Sequence, residues 1–374
     1  MKRVIALLCS IAAMTTYVYP HEPAAVDSCT SSTIKKWDRI ISKLPRLSGY
    51  MQTGWNYNSL GSGTSTFQIK RLRLLLDGTI NDRASFRLQV EALSGLPAHH
   101  NGQKSIQIID AYATYKVCDA LSVRAGQFNS PLCYENYNLS PATMETIDFS
   151  SLSSRVVFRN AIGYDYSDFG RDLGIMVMGD LFPTDKGYTR LSYNVSLTNG
   201  HLPSTDDNNK SKEVQGVIFY RPVRFLNIKA GYNFGEYTGE KNPEGHKYQP
   251  MHRGVAGIWY DNPTGIDLRG EYGICNARHN GRDIVKENTF YILAAWHLGK
   301  FLPVIRYDYC RDSVEKATLA GNFDKYLVGL NYVLCKNIKL RTNYTLTAYA
   351  NSSRASNGGH RTSNQVQIMG EFSF

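Results

Sequence analysis

Apolar and polar side chains alternate along most of the chain after about residue 47. In residues 86–92 and 338–346, most alternate positions are apolar, and the positions between them are polar or charged. A period of two is typical of β-strands that present one face to an apolar environment. The sequence therefore predicts an all-β protein of about sixteen strands.

The connections between the predicted strands alternate strictly between short and long. Short connections are predicted at residues 81–84, 118–120, 182–187, 222–224, 262–265, 299–301 and 335–337. Long connections are predicted at residues 94–104, 129–170, 199–212, 235–250, 276–287, 311–322 and 351–362, with residues 58–63 as the shortest outer loop. This sorting is typical of a transmembrane antiparallel β-barrel with short periplasmic turns and long extracellular loops. A soluble sandwich has no reason to sort its loops in this way.

The two ends of the chain indicate export. Lys2 and Arg3 precede an apolar run at residues 4–14, which is typical of a signal peptide. We expect residues 1–25 to be this signal, cleaved between residues 13 and 25. Residues 26–45 are predicted to form a short amphipathic periplasmic segment, and residues 46–374 the barrel. The alternation continues to the terminal Phe374, an ending similar to the signal that outer-membrane insertion machinery reads.

Composition excludes a helical membrane protein. Hydrophobic residues make up 42% of the chain, and the mean hydropathy is -0.34. After the N-terminus no apolar run approaches the roughly 18 residues that a spanning helix needs. The 25 Tyr and 31 Gly residues suit strands and aromatic girdles. The seven Cys residues show no C-x-x-C motif and no zinc-like spacing, so no metal or cofactor is predicted.

The formal net charge of +10 suggests anionic partners. In an exported barrel these partners would be anionic solutes and the head groups of outer-membrane lipids, including lipopolysaccharide. Nucleic acid is the other common partner of a basic chain, but the export signal argues against it.

Several motifs occur in a characteristic order. The sequence FQIKRLRL at residues 67–74 is followed by Asp77 and Gly78, and Asp110-Ala111-Tyr112 precedes VRAGQFNSP at residues 123–131. The sequence GRDLG then follows at residues 170–174. In this order the motifs resemble the phosphate-selective porin O and P family, and the resemblance extends over about residues 47–374.

The resemblance implies an outer-membrane porin of a Gram-negative bacterium. It implies a sixteen-stranded barrel, a homotrimer, and a third extracellular loop that folds into the lumen. Residues 129–170, hereafter the constriction loop, are the longest predicted connection, and a loop of this length is usually functional. We expect a water-filled diffusion channel for small hydrophilic solutes, in the outer membrane.

Strand parity assigns side chains to the inner face of the barrel. The basic residues on that face, which are candidates for an anion path, are Arg71, Arg73, Arg87, Lys116, Arg124, Arg190, Lys229, Arg269, Arg306, Lys325, Lys339 and Arg341. The acidic residues on the same face are Asp77, Glu91, Asp110, Asp172, Asp180, Asp267, Glu271, Asp308 and Glu371. Some of these charges can pair across strands. Charge reversal at Arg71 and Arg73 is expected to shift ion selectivity while leaving the fold intact.

The constriction loop weighs against strict anion selection. It offers Arg155 and Arg159 against Glu135, Glu145, Asp148, Asp165 and Asp168. The phosphate-selective members of the family have basic groups in their narrow zone, and this chain departs from that pattern. We therefore expect a weak anion preference, with a dedicated phosphate or polyphosphate channel as the alternative.

The sequence also bears on two other classes of protein. An enzyme is not predicted, because no Gly-x-Ser-x-Gly motif occurs and the histidines fall mostly in loops, as at His99 and His100. A structural or adhesive barrel that conducts nothing is the remaining alternative, because the long loops offer a surface. Single-channel recording separates this alternative from a porin.

Overall fold

The computed structural model describes residues 44–92, 106–159, 170–201, 203–204, 207, 210–236, 249–279, 282–312, 322–351 and 358–374. The expected signal peptide and residues 26–43 of the expected amphipathic segment lie outside these residues. So do Asp165 and Asp168 of the constriction loop. The barrel belongs to a compact unit that runs from Pro45 to Phe374.

Within the described part of the chain, no helix combines the length and the apolar character that crossing a membrane requires.

The described residues form sixteen strands, as the alternation predicts. Their bounds are β1 Arg46–Asn58, β2 Thr64–Asn81, β3 Ala84–Glu91, β4 Gln107–Cys118, β5 Leu121–Asn129, β6 Arg171–Pro183, β7 Thr189–Thr198, β8 Glu213–Val223, β9 Leu226–Glu236, β10 Pro250–Asp261, β11 Ile266–His279, β12 Arg282–Trp296, β13 Phe301–Asp312, β14 Phe323–Cys335, β15 Ile338–Tyr349 and β16 Thr362–Ser373.

Each strand pairs with its neighbours in the chain, and the first strand pairs with the last. In this closing pair, Tyr50 of β1 lies opposite Ser373 of β16, and Asn58 lies opposite Gln365. Closure leaves no strand edge with unpaired backbone groups, which is the condition for β-structure inside a bilayer. The predicted antiparallel β-barrel is confirmed.

The outer face of the wall is apolar and exposed. On β8, Ile218 and Tyr220 point outward with 55% and 46% of their surface exposed, whereas the alternate residues Val217 and Phe219 are buried. The outward position on β12 is similar, since Ile292 is 60% exposed. Large exposed side chains of this kind suit a wall that faces lipid hydrocarbon.

The connections are sorted between the two rims, with one difference from the prediction. Residues 276–287 do not form a long loop, because β11 continues to His279, β12 begins at Arg282, and Ala277 pairs with Val285. Only residues 280–281 lie between the strands, so residues 58–63 are not the shortest outer connection. The outward side chains in this part of the two strands are polar, as at Arg278 and Lys286. The alternation of apolar and polar residues therefore ends before the strands stop pairing, and the sequence alone suggested a loop.

The described part of the constriction loop has little regular structure. Its described part, which ends at Arg159, contains a single helical turn, α1, at Tyr134–Tyr137 and a π-helical turn at Ser153–Val157. The loop returns to the wall at Gly170, whose φ of 64° lies in the left-handed region that glycine tolerates. A side chain added at Gly170 would also collide with Asn136 of the loop.

Candidate functional site

The constriction loop folds back into the barrel and is held there by the wall. The backbone N–H of Tyr134 donates to the Glu271 carboxylate, with 2.9 Å between the nitrogen and Oε1. The Arg341 guanidinium donates to the carbonyl oxygens of Met144 and Thr146 at 2.6 and 2.7 Å. The described part of the loop therefore lies in the lumen, where the family resemblance implied it would be.

Apolar side chains of the loop pack against apolar side chains on the inner face of β8–β14. The buried cluster includes Leu132, Leu152, Val156 and Val157 from the loop and Val217, Phe219, Trp259, Tyr291 and Leu293 from the wall. This part of the wall differs from the expected alternation of apolar outer and polar inner positions, because its inner face carries apolar side chains among the polar ones. Strands covered on both faces carry such apolar runs. The loop therefore leaves open space mainly along the opposite part of the wall.

The described acidic side chains of the loop form close polar contacts: Glu135 and Glu145 are buried, and Asp148 is partly exposed. The Glu145 carboxylate lies 2.6 Å from a guanidinium nitrogen of Arg269. Asp148 lies 2.5 Å from the Lys70 ammonium. Glu135 accepts hydrogen bonds from Ser153 Oγ, at 2.6 Å, and from the loop backbone. These acids stabilise the fold of the loop or its contact with the wall. They therefore repel a passing anion less than the sequence suggested.

Burial and neighbouring charges act in opposite directions on two of these acids. Burial raises the pKa of Asp148, but the charges of Lys70 and Arg71 outweigh it and hold the pKa well below the ordinary value of 3.8. Burial is likewise outweighed at Glu145, where Arg269 lowers the pKa below 4.5. Both carboxylates are therefore charged at neutral pH, and their ion pairs are intact.

We expect both of these ion pairs to stay intact through mild acid. A carboxyl group whose pKa is lowered by folding stabilises the fold above its unfolded pKa, and this contribution is lost as pH falls through the folded pKa. Both carboxyl groups should therefore stay charged between about pH 7 and about pH 5 and take up protons only below about pH 4, as NMR titration of the carboxyl carbons would show. Protonation of either group between the first two values would contradict these ion pairs.

The two basic side chains of the loop are also paired. Arg155 forms an ion pair with Glu287 of β12. Arg159 lies 2.7 Å from Asp172 of β6 and 3.0 Å from Glu213 of β8. Its φ of 57° lies in the left-handed region, which is unusual for a side chain of this size. Both arginines thus fasten the loop to the wall.

Several basic residues that parity places in the lumen contact the loop or a neighbouring acid. Arg71 donates to the carbonyl oxygen of Ile147 at 2.9 Å, and Arg306 donates to that of Asp148 at 2.9 Å. The Lys339 ammonium donates to the carbonyl oxygen of Ala142 at 2.8 Å. Arg73 pairs with Glu91 at 2.7 Å, with both side chains buried. Charge reversal at Arg71 or Arg73 should therefore disturb the fold, contrary to the expectation from sequence.

Lys229 occupies an aromatic cage. Its ammonium lies 4.7 Å from the ring centre of Phe219 and 4.9 Å from that of Tyr134. The ammonium has no hydrogen-bond partner among the described residues, and the side chain is 1% exposed. Cation–π attraction to these rings and the charge of the nearby Glu271 carboxylate stabilise the ammonium. Lys229 therefore supports α1 of the loop and does not line the open lumen.

The open space lies along β1–β6. A cavity of about 740 Å³ between this wall and the loop is lined by Arg46, Arg73, Arg87, Arg124 and Arg171, with Asp110 as the acidic side chain. Arg87 is bidentate to Asp77 at 2.6 and 3.0 Å, and Arg171 lies 3.1 Å from Asp110. Of the predicted path residues, the structure places Arg73, Arg87 and Arg124 at this cavity.

A second cavity, of about 330 Å³, lies beside the first. Both are lined by Tyr137 and Asn138 of the loop. The second also contains Lys116, which pairs with Asp119 at 2.5 Å near the short-turn rim. Arg190 is exposed and lines neither cavity. Two of the predicted path residues thus lie toward the rim, away from the narrow part of the lumen.

The prediction from strand parity missed one inward basic residue, Lys70, because of a β-bulge. The register of β1 and β2 shifts between Gln52 and Thr53, which pair with Arg71 and Ile69 and leave Lys70 unpaired. The extra residue turns Lys70 inward beside Arg71. Two consecutive basic residues in a strand are a signal for such a bulge, since one would otherwise face lipid. Arg46 and Arg171 were missed for another reason, since they are the first residues of their strands.

Phe374 completes the closing seam. Its backbone N–H donates to the carbonyl oxygen of Gly49 at 3.0 Å, and its own carbonyl accepts from Gly49 at 3.2 Å. The Phe374 ring lies over Gly49, where any added side chain would collide with it. The side chain is 64% exposed on the outer surface.

A closed sixteen-stranded barrel that holds one long loop in its lumen has the architecture of a porin. The family model of the phosphate-selective porin O and P matches residues 49–220. The resemblance based on the motifs at residues 67–74, 110–131 and 170–174 is confirmed over this range. Porins are channels, and this fold indicates a protein of a bacterial outer membrane.

Solved structures of porins share the fold at low sequence identity. The anion-selective porin of Comamonas acidovorans is 14% identical with a TM-score of 0.64, and the match covers 88% of this chain and 99% of that one. The OmpF porin of Salmonella typhi, in complex with daunomycin, has the same identity and TM-score, with 88% and 97% covered. The outer-membrane channel DcaP of Acinetobacter baumannii is also 14% identical, with a TM-score of 0.59 and the same coverage.

No curated protein sequence matches this chain.

Proposed function

We propose that this chain forms a diffusion channel for small hydrophilic solutes, with a weak preference for anions. The observation that carries the proposal is the cavity along β1–β6, where five arginines face one lining aspartate. Guanidinium groups lower the cost of removing water from carboxylate and phosphate solutes, and they bind oxyanions with two parallel hydrogen bonds. The described acids of the constriction loop, Glu135, Glu145 and Asp148, are engaged by donors of the wall or the loop and do not line this cavity.

The preference is weak because most of the cavity's charge is already compensated. Arg73, Arg87 and Arg171 each pair with a carboxylate of the wall. Arg46 and Arg124 have no ion-pair partner among the described residues. Arg124 donates to Thr114 at 3.1 Å and stacks on Tyr112, with 4.1 Å between the guanidinium carbon and the ring centre. These two arginines are the basic groups most available to a passing anion.

Replacing Arg46 and Arg124 together by glutamine is expected to remove most of the anion preference. The loop should stay docked, because neither arginine contacts it by an ion pair. The measurement is the reversal potential in a salt gradient across a planar bilayer. The control is Lys186→Gln, which removes one charge from an exposed short turn and should leave the reversal potential unchanged. Cation preference in the unmodified protein would contradict the proposal.

A dedicated phosphate channel is the second candidate, supported by the family match over residues 49–220. It predicts that phosphate blocks chloride current at low concentration, because a dedicated site holds its ion. A weakly selective porin predicts no such block. Bilayer recordings with phosphate added to chloride therefore distinguish the two channels.

A barrel that conducts nothing is the third candidate, supported by the apolar packing of the loop across the lumen. It predicts no current steps when the refolded protein is added to a bilayer. No catalytic role is proposed for the described residues.

The remaining proposals concern export and assembly. A cleaved signal within residues 1–25 would carry the chain to the periplasm, and Phe374 would be read by the insertion machinery. A homotrimer is supported by the family likeness. The OmpT structure of Vibrio cholerae, with a TM-score of 0.56, is described as a trimer form.

A further inference from the structure

The ladder of backbone hydrogen bonds between β4 and β5 ends before either strand does. Its last pair toward the long-loop rim is Ala111 with Gln127. Beyond this pair, residues 107–110 of β4 run along β3 and residues 128–129 of β5 pair with β6, but the two segments do not pair with one another. The wall therefore separates between these segments, and we call this gap the β4–β5 split.

The side chain of Gln127 fills the split. A bulge leaves Ile109 out of the pairing with β3, and a bulge bends its strand at the point where it occurs. The Gln127 amide nitrogen donates to the carbonyl oxygens of Ile108 and Ile109 at 2.8 and 2.9 Å. The Gln127 Oε1 accepts from the backbone N–H of Ser204 at 2.6 Å. Side-chain hydrogen bonds thus replace the backbone ladder at this place.

The position of Gln127 is unusual for a strand that faces lipid. Strand parity points Gln127 outward, since its partner on β6, Leu173, is 41% exposed, yet Gln127 itself is only 4% exposed. An amide on the lipid side of a barrel is costly unless its hydrogen bonds are made. The carbonyl oxygens that the split leaves open supply these bonds, so Gln127 acts as a closure of the wall.

The arginine-lined cavity ends at the inner side of the split. Arg171 of β6 reaches across β5 to Asp110 of β4, with 3.1 Å between Nε and Oδ1, and both side chains are buried. Asp110, Asn129 and Arg171 all line the cavity of about 740 Å³. This ion pair therefore lies at the boundary between the cavity and the gap that Gln127 fills.

The outer side of the split is apolar. Ile108 and Leu173 are 44% and 41% exposed, and Ile106, which precedes β4, is 74% exposed. Side chains of this kind contact hydrocarbon in a bilayer. A basic cavity and an apolar outer surface thus meet where side chains close the wall. Segments held by few hydrogen bonds open locally at low cost.

We propose that the β4–β5 split binds single-chain amphiphilic anions. The anionic head group contacts Arg171 and its neighbouring arginines in the cavity, and the alkyl chain passes beside Gln127 to the apolar surface at Ile108 and Leu173. Binding requires the Gln127 amide to release the two carbonyl oxygens that it holds. The head-group site rests on the proposed anion-accepting cavity, whereas the lateral path for the alkyl chain goes beyond that function.

The test measures how strongly alkyl phosphonates, from methyl to octyl, bind the full-length refolded protein in amphipol. Equilibrium dialysis gives the affinities, with amphipol alone as the blank. Each added methylene is expected to tighten binding about threefold once the chain reaches the apolar surface. Affinity that does not depend on chain length would overturn the inference, because a closed basic cavity gives an alkyl chain no apolar contact. If the reversal potential of the same protein still shows anion preference, that outcome leaves the proposed function intact.

Matched variants locate the alkyl chain. Ile108→Ser with Leu173→Ser makes the outer side of the split polar and should abolish the gain in affinity with chain length. The control is Ile292→Ser with Leu340→Ser, which changes two outward residues of other strands that are 60% and 42% exposed. It should leave the gain unchanged, with folding of each protein checked by heat-modifiable migration in gels. Equal effects of the two pairs would overturn the assignment to the split.

Gln127→Ala tests the closure itself. Without the amide the open form no longer competes with the closed one, so octylphosphonate should bind about tenfold more tightly. Methylphosphonate, which has no chain to place, should bind as it does to the unmodified protein. Unchanged binding of octylphosphonate by a folded Gln127→Ala protein would show that Gln127 does not close the path.

Discussion

Replacing Arg341 by methionine is expected to undock the constriction loop and to lower the free energy of unfolding by about 3–5 kcal/mol. The Arg341 side chain is 1% exposed and donates to three carbonyl oxygens of the loop, those of Pro141, Met144 and Thr146. It also lies 2.8 Å from the buried Glu371 carboxylate. Methionine preserves much of the volume but removes the donor to the Met144 and Thr146 carbonyls and a charge partner of Glu371, and a buried acceptor that loses its donor is destabilising.

The measurements are denaturant unfolding of the refolded barrel and single-channel conductance. Conductance should rise and become noisier, because the loop no longer narrows the lumen. The matched control is Arg190→Met, which removes an arginine of the same inward parity that is exposed near the short-turn rim. Equal effects of the two substitutions would show that Arg341 acts on solutes and does not anchor the loop.

Replacing Leu152 by alanine tests how much the apolar contacts contribute to holding the constriction loop against the wall. Leu152 is fully buried in the cluster between the loop and β8–β14. Its side chain lies against Gly273 of β11, where an added Cβ would meet it at 3.1 Å. Removing a buried leucine side chain of this kind costs about 2–5 kcal/mol. We expect lower stability and larger conductance, with ion selectivity unchanged because no charge is altered.

Leu340→Ala is the matched control for the apolar substitution. Leu340 is 42% exposed on the outer face and contacts no part of the loop cluster. Its removal should change conductance little, because the lumen is untouched. If Leu152→Ala leaves conductance as low as in the unmodified protein, the apolar cluster does not set the width of the path.

The number of strands, and which side chains of most strands point inward, could be predicted from the alternation of apolar and polar residues. The reason is that side chains alternate with a period of two wherever one face of a strand contacts lipid. Alternation placed Arg269, Arg306 and Arg341 on the inner face correctly. Alternation could not show that these arginines contact the loop instead of water, because the sequence of the loop has no periodic pattern. For the same reason the sequence did not show that acids of the loop are paired.

Two departures from simple alternation can be recognised in the sequence. On β8 the residues Val217, Ile218 and Phe219 are all apolar, which is the pattern of a strand covered on both faces. At Lys70 and Arg71, two consecutive charges signalled a bulge. The pairing of Glu145 with Arg269, 124 residues apart, left no such trace. Contacts between distant parts of a chain depend on the packed loop, which local pattern does not encode.

The anchors of the loop lie partly on the strands that close the barrel. Gln52 of β1 donates to the carbonyl oxygen of Pro141 at 3.1 Å, and Gln367 of β16 donates to Asp148 at 2.8 Å. These two strands are the first and last to be made, and they meet only when the ring is complete. The full set of loop anchors is therefore complete only when the seam between β1 and β16 is closed. Closure of the barrel and docking of the loop stabilise one another.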